Sequence, residues 1–172
     1  MTPARIKSSA VKCTTFLRAA AVAASALAAT FAAPARNVGL KVPVAAPLAA
    51  ARSNANIGGI EFTFGSASAR GADVVGGTVS VQGVASPLAE AHGFKPTEEE
   101  ACANGLRDAL ERLAAAARAA GGHAVVGIVS TYNGATIDDP AQVECRVGSS
   151  KVLVPLSGVI VRALPAAPAG TP

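Results

Sequence analysis

The sequence predicts an α+β fold in which one long helix covers one face of a small β-sheet. Apolar and polar side chains alternate over residues 60–64, which is typical of a half-buried strand. Apolar side chains instead recur every three or four residues over 102–120, which is typical of an amphipathic helix. Strand-like segments lie on both sides of this helix in the order β-β-α-β-β-β, so the helix is expected to pack on a single sheet.

The remaining strands are predicted from apolar segments bounded by glycine and polar turns. The segment 123–130 is almost continuously apolar, which favours a strand that is central or covered on both faces. The glycine-rich segment 65–77 is predicted as a loop or an irregular edge, and 132–140 as a polar turn region. The predicted strands are 60–64, 79–84, 123–130, 142–147 and 151–164.

The predicted helix has a signal at each end. Thr97 and Glu100 have the T-x-x-E spacing of a capping box, in which the threonine hydroxyl accepts a hydrogen bond from the Glu100 amide. The three consecutive glutamates 98–100 also place negative charge where the helix dipole favours it. Gly121 and Gly122 are expected to end the helix, because glycine tolerates the left-handed backbone found there.

The N-terminal residues 1–35 have the order of a cleavable secretory signal. A basic start precedes an uncharged apolar run over 19–33, and small residues follow it. The run is too short to cross a hydrocarbon core about 30 Å thick, although a retained anchor and an organelle transit peptide are alternatives. We therefore expect Sec-type export to the periplasm or medium, with no stable membrane span after cleavage. Residues 36–56 are predicted as a flexible Ala/Pro-rich linker, 57–164 as the folded domain and 165–172 as a disordered tail.

The charge of the chain argues against a nucleic-acid partner. Four of its 15 basic residues lie in the predicted signal, which leaves 11 basic against 11 acidic residues. Neutralising phosphates requires an excess of basic side chains on one face. An envelope protein or a small ligand is the expected partner class, and oligomerisation remains open.

Two cysteines, Cys102 and Cys145, remain after removal of the predicted signal, which contains Cys13. Thiols pair in oxidising compartments, so we predict a disulfide between the first turn of the helix and a late strand. Metal ligation and redox catalysis are the alternatives. The sequence contains no C-x-x-C motif, and its two histidines are not spaced as ligands with either cysteine.

Carboxylates near the end of the chain form the candidate metal site. Asp138, Asp139 and Glu144 could hold a hard cation, whereas the alternative is a solvated turn closed by Pro140. No nucleophile–base, phosphate-loop or metalloprotease motif is found, so no catalytic residue and no cofactor are predicted. The sequence thus favours a non-enzymatic binding or envelope-sensing module, with metal-ion binding as the alternative.

Residues 118–128 and 151–161 resemble the YbjQ-like family of small bacterial domains, also called heavy-metal-binding domains. In that family a helix ends at a small-residue turn, an A-V-V-G-I strand follows, and the last strand contains a Ser-Gly pair. The resemblance covers 94–164. The motifs Glu-Ala-Cys at 100–102 and Glu-Cys at 144–145 resemble those of exported, signal-bearing bacterial proteins of unknown role. RcsF is similar to a distant, disulfide-bonded variant of the same arrangement, so the resemblance implies an exported, disulfide-bearing, RcsF-like domain. The basic, glycine-rich segment that precedes the helix in cytoplasmic members is not recognisable.

Overall fold

The computed structural model describes residues 37–86 and 95–162, which form a mixed seven-stranded sheet and two α-helices. This arrangement confirms the predicted α+β class. A four-residue 3-10 helix, Ser66–Ala69, precedes the third strand. The elements in chain order are β1 (Asn37–Pro43), α1 (Ala45–Arg52), β2 (Glu61–Phe64), β3 (Val74–Ala85), α2 (Glu98–Ala119), β4 (Ala124–Tyr132), β5 (Ala135–Ile137), β6 (Gln142–Gly148) and β7 (Val152–Val161).

The sheet is organised around β7. This strand pairs with β3 along its whole length, and it pairs first with β6 and then with β4. Pro155 lies between the β6 and β4 pairings, where a residue without an N–H removes no bond from either ladder. β1 extends the sheet beyond β6, and β2 extends it beyond β4 as a parallel neighbour.

Helix α2 covers one face of this sheet and forms the main core with it. The predicted capping box is confirmed: Thr97 Oγ1 accepts from the Glu100 amide at 3.2 Å, and Glu100 Oε2 accepts from the Thr97 amide at 2.8 Å. The helix ends before Gly121, whose φ is +70°. The buried side of α2 consists of small and aliphatic residues, namely Ala101, Cys102, Gly105, Leu106, Ala109, Leu110, Leu113, Ala114 and Ala117.

The disulfide between Cys102 and Cys145 is present, as the sequence predicted. Their Cα atoms lie 5.8 Å apart, and both residues have no solvent exposure. Because Cys102 lies in the first turns of α2 and Cys145 lies in β6, the bond fastens the start of the helix to the sheet.

The prediction of a flexible linker over 36–56 is wrong for the two elements found there. Asn37–Pro43 forms β1, which pairs with β6 from Asn37 opposite Gly148 to Pro43 opposite Gln142. Ala45–Arg52 forms α1, where Pro47 lies in the first turn and therefore removes no helical hydrogen bond. The Ala/Pro-rich composition of this segment, which is typical of a linker, is therefore compatible with an edge strand and a short helix.

Two further segments are more regular than the sequence indicated. β3 begins at Val74, within the segment 65–77 that was predicted as a loop or irregular edge. The predicted turn region 132–140 contains β5, which pairs with β4 through a turn at Asn133 and Gly134. Both residues have positive φ, 49° and 79°, as a two-residue hairpin turn of type I′ requires. The predicted signal over 1–35 and the predicted tail over 165–172 lie outside the described residues.

Candidate functional site

The three carboxylates predicted as a metal site are held by different partners. Asp138 accepts hydrogen bonds from the amide of Ser66, at 2.8 Å, and from the Ser66 hydroxyl. These two bonds, the hydroxyl first, lower the pKa of Asp138. Asp139 Oδ1 instead accepts from the amides of Ala141, at 2.9 Å, and Gln142, at 3.2 Å.

Glu144 lies on β6 and forms an ion pair with Arg146. Within residues 37–86 and 95–162, no group of three or more His, Cys, Asp or Glu side chains is placed to hold a metal ion. Asp138, Asp139 and Glu144 therefore do not form the cluster that the sequence predicted. Asp138 instead fixes the backbone at Ser66, the start of the 3-10 helix, and Asp139 fixes the backbone that follows Pro140.

The Glu144–Arg146 pair belongs to a polar cluster on the face of the sheet opposite α2. The guanidinium carbon of Arg146 lies 4.3 Å from the centroid of the Tyr132 ring, a cation–π contact. Gly39 of the neighbouring strand leaves room for this arrangement, since a Cβ there would lie 3.1 Å from Arg146 Nη1. Asn37 Nδ2 donates to the Tyr132 hydroxyl at 3.2 Å. The guanidinium is held by Glu144 and the Tyr132 ring, while its Nε is buried without a hydrogen-bond partner among the described residues. We interpret this cluster as a structural element of the outer face.

A groove of about 440 Å³ lies between α1 and β2 and is the candidate functional site. The turn that joins these two elements is held against α2. Asn54 Nδ2 donates to Glu111 Oε1 at 2.7 Å, and Arg118 donates to the carbonyl of Asn56. Gly59 has a φ of +84°, which favours glycine at this point of the turn. The groove is lined by Leu48, Ala51, Arg52, Ile57, Gly58, Gly59, Ile60, Glu61, Phe62 and Thr63.

One wall of the groove is the open edge of a β-strand. Within the described residues, β2 pairs with β4 alone. The amides of Glu61 and Gly65 donate towards β4, to His123 O at 3.0 Å and to Ile128 O at 2.9 Å. Since the direction of backbone groups alternates along a strand, the N–H and C=O of Phe62 point away from β4. The side chain of Phe62 is buried in the core, so the strand is fixed while this edge remains open.

The groove combines this backbone edge with apolar and charged side chains. Leu48 and Ile60 are half-buried and pack against the core, whereas Arg52 and Glu61 are exposed and carry opposite charges. Such an edge supplies main-chain donors and acceptors for an added strand, and the flanking side chains supply selectivity. The volume also falls within the range of about 300–1,000 Å³ typical of ligand pockets.

Sequence reasoning did not find this site, because it assigned α1, which forms one wall of the groove, to a linker. The signal that was available is the alternation of Val38, Leu40 and Val42, which places an ordered strand before residue 45. If residues 38–42 form a strand of the sheet, the chain must turn back towards the sheet before the strand that contains Glu61. The Gly58–Gly59 pair is the sequence signal for that turn.

None of the helices in the described part of the chain is long and apolar enough to cross a membrane. Comparison of the chain with protein-family models, curated proteins and solved structures finds no match.

Proposed function

We propose that this chain is an exported, disulfide-stabilised and non-enzymatic binding module that takes up an extended peptide segment of an envelope protein along β2. The observation that carries the proposal is the outward-facing backbone of Phe62, which forms a wall of the groove between α1 and β2. A peptide in extended conformation would continue the sheet on this edge. Its side chains would alternate between the wall formed by Leu48 and Ile60 and the solvent.

Two features of the fold support export. The disulfide between Cys102 and Cys145 is a bond that persists in oxidising compartments. β1 begins at Asn37, immediately after the predicted signal over 1–35, so cleavage there leaves the sheet intact. Periplasmic or secreted location, and the likeness to the YbjQ-like family, are part of this proposal.

The charges in the groove favour a peptide over an uncharged small molecule. Arg52 and Glu61 give the groove one exposed charge of each sign. A peptide with a carboxylate and an ammonium group at matching positions would be bound in one direction, since the reversed direction would bring like charges together. Exposed charges of this kind affect specificity more than affinity.

Selection from a displayed peptide library tests the groove directly. The target is the protein purified after expression of the full chain. Arg52→Glu reverses one charge without touching the core, and Leu48→Trp fills the groove. We expect Leu48→Trp to weaken binding of the selected peptides by about tenfold or more, which is about 1.4 kcal/mol. We expect Arg52→Glu to weaken their binding less and to change which peptides are selected. Arg70→Glu, an exposed charge reversal outside the groove, is the matched control and should leave binding unchanged.

Equal binding to the wild-type, Arg52→Glu and Leu48→Trp proteins would contradict the groove assignment. Unfolding curves recorded on each variant separate loss of binding from loss of folding. Export is tested by the intact mass of the protein recovered from the producing cells. The proposal expects a chain shortened near residue 35 with no free thiol, whereas a full-length chain with alkylatable Cys102 and Cys145 in the cytosolic fraction would contradict it.

A further inference from the structure

Besides the edge at β2, the sheet has an open edge at β3, on the side of this strand that faces away from β7. Within the described residues, β3 pairs with β7 alone. The amide of Val84 donates to Asp108 Oδ2 at 2.8 Å, so this N–H points away from β7. Because antiparallel ladders alternate, the backbone groups of Thr78, Ser80 and Gln82 also point away from β7.

The strand at this edge lacks two of the features by which edge strands avoid pairing with other chains, charged side chains and prolines. β3 contains no charged residue and no proline over Val74–Ala85. By contrast, the edge strand β1 contains Lys41 and Pro43. The exposed large apolar side chains of the described residues, Val74 and Val84, both lie on β3, with 52% and 43% of their surface exposed.

The structure also limits how far another strand could pair. The register of β3 shifts between Val74 and Gly77, where Gly77 has a φ of +68°. At the other end, Asp108 already occupies the amide of Val84. The stretch available for pairing is therefore Thr78–Gln82, which we call the β3 edge.

We infer that the β3 edge pairs with the β3 edge of a second copy of this chain, antiparallel and about a two-fold axis at Ser80. In this register Ser80 lies opposite its own counterpart, and Thr78 lies opposite Gln82. A two-fold contact brings each surface against itself, so any charge close to the axis would meet a like charge. An uncharged edge meets this requirement, and the facing Thr78 and Gln82 side chains can form cross-strand hydrogen bonds. The Ser80 hydroxyl donates to Ser157 Oγ at 3.2 Å within its own chain.

The expected dimer is weak. Stable dimers bury about 1,200–2,000 Å² in total, and a ladder of five residues is short by comparison. The association is therefore expected to depend on protein concentration. It is independent of the groove, which lies at the β2 edge of the sheet.

Sedimentation equilibrium of the protein over a range of concentrations measures this association. We expect a monomer–dimer equilibrium for the wild type and a monomer for Ser80→Lys, which places two positive charges at the axis. Thr136→Lys, an exposed substitution on β5, is the matched control and should dimerise like the wild type. A wild-type monomer at every concentration, or a Ser80→Lys dimer, overturns the inference.

Oxidative crosslinking tests the register. Opposite residues in an antiparallel ladder have Cα atoms about 4.5–5.5 Å apart, within the range that a disulfide spans. Ser80→Cys should therefore form a covalent dimer, whereas Gln82→Cys should not, because its counterpart lies opposite Thr78. Equal crosslinking of both variants overturns the assigned axis. The protein could instead stay monomeric while its β3-edge amides become protected from exchange on addition of a groove-binding peptide. That result would assign this edge to a foreign strand and overturn self-pairing.

Discussion

The Cys102–Cys145 disulfide is expected to contribute a large share of the free energy of unfolding. The bond closes a loop whose ends are 43 positions apart in the sequence. The chain-entropy relation gives about 4 kcal/mol for a loop of this length, through restriction of the unfolded chain. Since domains of this size have a total free energy of unfolding of about 5–15 kcal/mol, reduction is expected to leave a marginally stable protein.

Urea unfolding with and without reductant measures this contribution. We expect the reduced protein to lose about 4 kcal/mol, with a fall in the melting temperature of more than about 10 °C. The double variant Cys102→Ala/Cys145→Ala provides the control, because reductant should then have no effect. Both cysteines are fully buried, so the double variant also loses packing and should be no more stable than the reduced protein. A loss below about 1 kcal/mol on reduction would refute the loop-closure argument.

Three further substitutions test the packing, the helix cap and the acid response. Gly83→Ala should lower the free energy of unfolding by about 2 kcal/mol or more, because its Cβ would lie 2.7 Å from Ala109 N and still closer to a carbonyl of α2. Gly58→Ala, whose Cβ would lie no closer than 3.6 Å to its nearest neighbour, the carbonyl oxygen of Asn54, is the matched control. Equal losses in urea would contradict the close helix–strand approach. Thr97→Ala should cost about 1 kcal/mol in the same assay, with Thr97→Ser restoring most of it; no loss would show that the capping box is not needed. Hydrogen bonds from Ser66 lower the pKa of Asp138 below its ordinary value of 3.8. The carboxylate therefore contributes fully to the free energy of unfolding above that pKa, and the contribution is lost as the pH falls through the lower pKa of the folded state. Asp138→Asn should therefore flatten the loss of stability below that pH, and an unchanged acid profile would count against this contribution.

The elements that the sequence predicted are those with strong local signals. The capping box at Thr97 and the four-to-three spacing of Cys102, Leu106, Leu110 and Leu113 determine α2 without help from the rest of the chain. The disulfide was predictable from the even number of cysteines that follow the predicted signal. The strands β4, β6 and β7 are bounded by glycine or polar turns and are found within a few residues of their predicted limits.

The elements that the sequence did not predict depend on tertiary contacts. β1 contains Gly39, Lys41 and Pro43, which are unfavourable in a strand, yet it forms because β6 offers a complete partner edge. α1 has only eight residues and is too short to be stable by itself, so packing decides its formation.

The groove was missed for the same reason, because it exists only where α1 and β2 come together. The metal site was predicted from proximity in sequence. In the structure Asp138 accepts from the Ser66 amide and Asp139 from the Ala141 amide, so the two carboxylates bind different parts of the backbone. Proximity in sequence does not determine which hydrogen-bond donor a carboxylate will bind.

Amide hydrogen exchange at β2 tests the central claim most directly. The measurement follows the amide of Phe62 in the protein alone and with a peptide selected against the groove. We expect exchange at Phe62 to slow in the complex, because its N–H would donate to the added strand. The amide of Glu61, already bonded to His123, should change little. Tight peptide binding with unchanged exchange at Phe62 would contradict strand addition at this edge.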